Sequence, residues 1–158
     1  MVRTEGEDAD EQKVIDDIAR VGWHCVGILA EDDLPPYAFT VGLQHSFGHP
    51  ELIIFGMRLE TAHEVLHIVV EALRSGTPID LTRPTDELLE GYPCVFVPVP
   101  KQEYREHMGY CRWYYRGDDF GLQQIVWPNR EGQFPWHPAA SEAFRAHQPV
   151  LGAPSPGA

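Results

Sequence analysis

Two imidazoles and a carboxylate stand at H-E-x-x-H spacing in the run His63-Glu64-Val65-Leu66-His67. Residues four apart project from the same face of a helix, so both histidines can reach one zinc ion. The glutamate can then act as general base on the metal-bound water. A catalytic zinc needs a third protein ligand, and the extended form of the motif would place glycine and histidine where Val70 and Leu73 stand. Glu71, one turn beyond His67, would complete a straight row of ligands that closes badly around a tetrahedral metal. His45 and His49 are the remaining candidates for a third ligand. The leading expectation is no cofactor, with zinc on His63 and His67 as the alternative; in the simpler reading both histidines flank the apolar stripe of their helix, partly solvated.

A second set of polar groups lies in Gln44-His45-Ser46-Phe47-Gly48-His49-Pro50-Glu51, which reads as a loop between two strands. Loops on a rigid sheet collect functional groups, and His45 and His49 could carry protons or hold a ligand. Alternatively Gly48 and Pro50 shape the connection while the imidazoles bond backbone carbonyls. A third cluster is aromatic: Tyr110, Trp113, Tyr114, Tyr115, Trp127, Phe134 and Trp136, with Arg112, Gln123 and Gln124 interspersed. Large rings with polar edges line pockets, anchor interfaces or build core. Asn129 is expected at an exposed corner after a strand ending at Trp127. The predicted ligand site lies between the His45–His49 loop and the Trp127–Trp136 segment, with His45, His49, Gln123, Trp127, Asn129 and Trp136 as binding residues. Phosphate-binding glycine loops, C-x-x-C and G-x-S-x-G are absent, and no catalytic residue is assigned.

The elements that must position these groups follow from periodicity. Val14, Ile15, Ile18 and Val21 recur at helical spacing from Glu11 to a stop at Gly22. Trp23–Leu29 and Tyr37–Leu43 read as two strands of an antiparallel hairpin, the second placing Tyr37, Phe39, Val41 and Leu43 on one face. Leu52-Ile53-Ile54-Phe55 reads as a central strand buried on both faces. Leu59–Arg74 is the strongest helix, with Ala62, Val65, Leu66, Val69 and Leu73 as its stripe. A short strand is expected near Ile79 and another over 94–99, the latter at an edge because of Pro98. A short helix over 100–107 and a last strand over 122–127 complete the chain, with 108–116 unassigned. Together these predict an α+β fold with a mainly antiparallel sheet packed against one main helix plus shorter helices. One domain is expected over 11–151, between a flexible acidic terminus over 1–10 and a flexible tail over 152–158.

Composition narrows the functional classes. The chain has 158 residues, 43% of them hydrophobic and 17 aromatic (7 Phe, 4 Trp, 6 Tyr), enough for one core without disulfides or a structural metal. Twenty-four acidic residues against 12 basic ones leave a net charge of −12, the wrong sign for phosphate backbones and anionic membranes. Nucleic acid and membrane are therefore not expected partners. Cys25, Cys94 and Cys111 are odd in number and set among apolar or aromatic neighbours, as reduced core cysteines are. No apolar leader or membrane-length run is present, and a cytoplasmic location is expected.

Gly22-Trp23, Tyr37-Ala38-Phe39-Thr40-Val41-Gly42-Leu43, Gly48-His49-Pro50-Glu51-Leu52, Leu122-Gln123, Trp127-Pro128-Asn129 and Gly132-Gln133-Phe134-Pro135-Trp136 resemble, in this order, domain of unknown function family 4262. The resemblance spans roughly Asp16 to Leu151. It implies a compact, stand-alone domain of bacterial type, with no activity to carry over. Asn129 stands where the pattern leads one to expect aspartate, and His67 where it leads one to expect asparagine or another residue, so the H-E-x-x-H match belongs to this chain. The expected function is a non-catalytic module binding a small molecule or a protein. The alternatives are a metal-dependent hydrolase on His63, Glu64 and His67, and an immunity-type or regulatory protein that binds a basic partner.

Overall fold

The computed structural model describes residues 1–154. Helix α1 (Ala9–Val21) is capped by the Asp8 carboxylate, which accepts from the Glu11 amide at 2.8 Å, and ends on left-handed Gly22. β1 (His24–Ile28) pairs antiparallel with β2 (Tyr37–Val41) as the expected hairpin. A five-residue helix α2 (Leu43–Phe47) follows, where a loop was expected, and leads into β3 (Glu51–Phe55). Then come α3 (Leu59–Arg74), β4 (Val95–Pro98), α4 (Tyr104–His107), α5 (Gly109–Tyr115), β5 (Leu122–Val126) and α6 (Glu142–His147).

The strands form one sheet in the order β1-β2-β3-β5-β4, with Pro98 on an edge strand as its missing amide requires. Three neighbouring pairs are antiparallel; β3 and β5 run parallel, Glu51 opposite Leu122 and Ile54 opposite Ile125. The fold is α+β with a mostly antiparallel sheet. Alternation along β2 and β3 feeds two separate cores. Tyr37, Phe39, Val41, Ile53 and Phe55 pack with α1, α4 and α5, while Ala38, Leu52 and Ile54 pack with the α3 stripe. Helices thus cover both faces.

Two further expectations need correction. Leu43 leaves the Tyr37–Val41 face, because Gly42 turns the chain at φ 110° and sends Leu43 into the α3 core. A side chain at Gly42 would also collide, its Cβ falling 2.9 Å from Ile18 Cγ1. No strand forms at Ile79; the segment is irregular, held instead by a lone bridge between Thr85 and Cys94. The N-terminal residues lie on α5: the Arg3 amide donates to Tyr114 O at 3.0 Å, and Arg3 Nε to Trp113 O at 2.7 Å. The expected flexible tail falls, from 155 onward, outside the described residues, and Gly152 packs against the Pro98 carbonyl. Among the described residues no helix is long and apolar enough to cross a membrane.

Candidate functional site

The end of the sheet where α2 meets β3 is organised by one carboxylate. Glu51 is 0% exposed, and every partner it has is a donor. Thr40 Oγ1 donates to it at 2.7 Å, and the amides of Gly42, Leu43 and Gln44 donate at 3.1, 3.2 and 3.2 Å. The Tyr115 hydroxyl donates as well, its own lone pair receiving the His45 amide at 3.1 Å. Glu51 thereby satisfies the orphan amides that start α2, a task no side chain within α2 performs. Burial pushes the carboxyl above the ordinary glutamate range, against the pull of Tyr115, Thr40 and the backbone donors. This is a fastening: it fixes the α2 segment and offers no open coordination or reaction site.

Another buried polar group, at a second place in the fold, has the opposite character. A short Lys101–Glu103 3-10 turn runs into α4, and the helical path breaks at Met108 (φ −113°, ψ 42°) before α5 resumes. The break leaves His107 at the junction, 8% exposed, its ring edge-on to Tyr37 at 5.5 Å and to Phe55 at 5.4 Å. Tyr37 also donates its hydroxyl to the His107 carbonyl at 3.3 Å. Nδ1 of His107 is buried with no hydrogen-bond partner. Burial holds the imidazole below its ordinary value against the pull of Glu106 and Glu103. His107 lines a cleft of about 430 Å³ between the β1–β2 surface and α4–α5, walled by Ile28, Tyr37, Phe39, Tyr110 and Trp113. That size and mix, apolar rings with a few polar groups, is typical of small-molecule sites.

The residues singled out from sequence are scattered. His45 is exposed, its ring edge-on to Tyr114 at 6.1 Å. His49 is buried, with Nδ1 on Pro50 O at 2.7 Å and Nε2 unpartnered. Gln123 lies with Gln44 and Pro50 along a wide depression of about 710 Å³. Trp127 stands at the far end of β3, its indole N–H donating to Phe55 O at 2.9 Å, while Gln148 clamps its backbone from both sides at 2.9 and 2.8 Å. Asn129 spends its side chain on its own turn, accepting from the Gln133 amide at 2.8 Å and the Glu131 amide at 3.0 Å. Trp136 stacks on Phe134 and borders a separate hollow of about 310 Å³. Because β3 and β5 are parallel, the His45–His49 segment enters at one end of the pair and Trp127 leaves at the other. The two segments therefore do not face each other across one concavity.

His63, Glu64 and His67 are exposed on α3. Both imidazoles lie against the Trp23 ring, at 5.8 and 6.5 Å, and His67 pairs with Glu71 at 3.6 Å. They border a depression of about 400 Å³ that also holds His24, whose Nδ1 lies 2.7 Å from Asp17 Oδ2. Cys25 lines it too, but burial pushes its thiol up to about 12, far from a nucleophile's range. Among the described residues no third histidine, cysteine or carboxylate joins His63 and His67 within 4.8 Å; the one cluster that converges so closely is Glu103, Glu106 and His107, at the cleft.

The chain matches the family model described as Domain of unknown function (DUF4262) over residues 17–141. It belongs to the DUF4262 family. No curated protein and no solved structure matches it. The segments of this DUF4262 member that carried the resemblance include the parts of the Glu51 fastening: Thr40, Gly42 and Leu43 from one, Glu51 from the next. The cleft draws Tyr37 and Phe39 from the matched region and Glu11 from before it. His107, Tyr37 and Phe39 were not among the sequence candidates. A histidine ending a short helix just before an aromatic run was the available signal.

Proposed function

We propose that this DUF4262 member is a small-molecule-binding module whose ligand occupies the cleft between the β1–β2 surface and α4–α5. One observation carries the proposal: a nine-tenths-buried imidazole, His107, lines an open aromatic cleft with Nδ1 unpartnered. Buried polar atoms are nearly always bonded, and this one, closed to water as the cleft stands, would be completed by a ligand donor once the lining rings part around it. Tyr37 and Tyr110 add ring surface and neutral phenol hydroxyls to the lining. The three free cysteines, Cys94 and Cys111 on opposite faces of the sheet, support a reducing, cytoplasmic setting.

The test is a screen of single-ring fragments by NMR on protein labelled at histidine and tryptophan. Binders should move the His107 and Trp113 ring signals together and lose affinity in His107→Phe. Fragments that perturb only the His24–His63–His67 depression, or none that bind at millimolar concentration, would remove the proposal.

A further inference from the structure

We propose that the ligand of this cleft is an arylalkyl amine in its protonated, cationic form. The inference rests on the small-molecule reading above and adds the charge and hydrogen-bonding class of what binds.

The walls come first. Tyr37, Phe39, Tyr110 and Trp113 present ring surface, and about 430 Å³ accommodates one ring with a short side chain. Ring faces attract cations, and Trp113 already holds one: the Arg3 guanidinium carbon sits 5.3 Å from its centroid. The charges around the cleft point the same way. Glu11 and Glu106 are part of the lining, with Arg105 as the cation among them. Glu103 converges with Glu106 and His107 within 4.8 Å. The Tyr110 hydroxyl is raised by burial and then by Asp10, Asp8 and Glu11, so these three carboxylates bear on the same mouth. Glu11 and Glu106 in the lining, Glu103 beside them, and Asp8 and Asp10 acting on Tyr110 outnumber Arg105 and Arg3, within a chain whose net charge is −12.

The polar anchor selects further. Glu106 Oε2 lies 4.0 Å from His107 Nε2 and favours the ring proton on that nitrogen. Nδ1 is then a lone-pair acceptor, buried and unpaired. Once the lining parts enough to uncover it, an ammonium N–H satisfies it and lies among carboxylates; a hydroxyl satisfies it without using the field; a carboxylate ligand does neither. A quaternary ammonium would use the rings and the field but leave Nδ1 bare.

Three probes that share a phenyl ring and differ in charge separate these contributions: 2-phenylethylamine, 2-phenylethanol and 3-phenylpropionate. Dissociation constants come from NMR titration at pH 7 and low salt, read at the His107 and Trp113 rings. The amine should bind about tenfold or more tighter than the alcohol, and the acid most weakly. Raising salt to about 0.5 M should narrow the gap, because the carboxylates are at the surface. The double variant Glu11→Gln/Glu106→Gln should bring the amine close to the alcohol. If the alcohol binds as tightly as the amine, or the acid binds best, the cation inference falls while the cleft stands. If the amine preference survives the double variant, the charge assignment is equally overturned. If none of the three moves either ring, the cleft itself is wrong.

Discussion

At one end of the sheet the Glu51 carboxylate collects five donors; on the α4–α5 side the His107 imidazole leaves a nitrogen with none. Both groups are more than nine-tenths buried, so both give up water on folding. Glu51 recovers the loss through its shell, and that shell is the structure of the Thr40–Glu51 segment. His107 does not recover it, at a cost of about 1–3 kcal/mol for a buried unpaired atom. On the proposed reading, this deficit keeps a binding atom beside an open cleft at the expense of stability. His49 provides the contrast: its Nε2 is also unpaired, yet it lines none of the cavities described above. An orphan atom therefore points to a ligand only where a concavity meets it.

The sharpest way to break this comparison is Glu51→Gln. The amide keeps the shape but turns an NH2 toward a shell made wholly of donors. Loss of about 3–5 kcal/mol is expected, in line with breaking a buried charged network. Chemical denaturation reads it directly. A shift under about 1 kcal/mol would mean that the shell is not what holds α2. Tyr115→Phe removes one donor from Glu51 and the acceptor of the His45 amide together. It should cost about 1–2 kcal/mol, since the remaining four donors still hold the carboxylate.

The fold was legible where its causes are local. Helix α3 ran over the predicted residues because its stripe and its terminal Ser75-Gly76 lie within the element itself. The β1–β2 hairpin and the buried β3 run were likewise set by alternation and by an unbroken apolar stretch. Helix α2 was not legible, because its cap is Glu51, a residue outside it that reads in sequence as the border of an apolar strand. The cleft was hidden for the same kind of reason. Tyr37 and His107 meet across a separation of 70 residues, and no periodicity reports that contact. The placing of His49 relative to Trp127 was not legible either, because strand direction decides it: parallel pairing of β3 and β5 sends their flanking segments to opposite ends.

Acid titration probes the two orphan histidines from another side. Burial lowers both His107 and His49 below 6.5, their unperturbed value. The unfolded chain therefore takes up protons near pH 6.5, before the folded chain does. Their contribution to stability is complete above that pH and is lost as pH falls through 6.5 toward the folded values. Denaturation midpoints at pH 7.5, 6.5 and 5.5 should decline. The decline should be shallower in His107→Phe, because the variant removes one of the two groups while every other titration is shared with the parent. An unchanged slope would mean that His107 is not held neutral by burial.

The smallest expected effect decides most. His107→Phe replaces a ring by a ring, so the edge-on contacts with Tyr37 and Phe55 persist with an apolar partner. The added carbon can extend into the cleft, so overpacking is avoided. The unpaired Nδ1 disappears, and with it the desolvation cost. Stability at pH 7.5 should stay level or rise by up to about 1 kcal/mol, while affinity for cleft fragments falls. Most substitutions of buried residues do the reverse, costing stability in proportion to the contacts removed. A loss above about 1.5 kcal/mol would show that the His107 imidazole serves the core, as Glu51 does, and would collapse the distinction between the two sites. A gain together with lost binding would leave one account standing: the core tolerates this imidazole, and the cleft uses it.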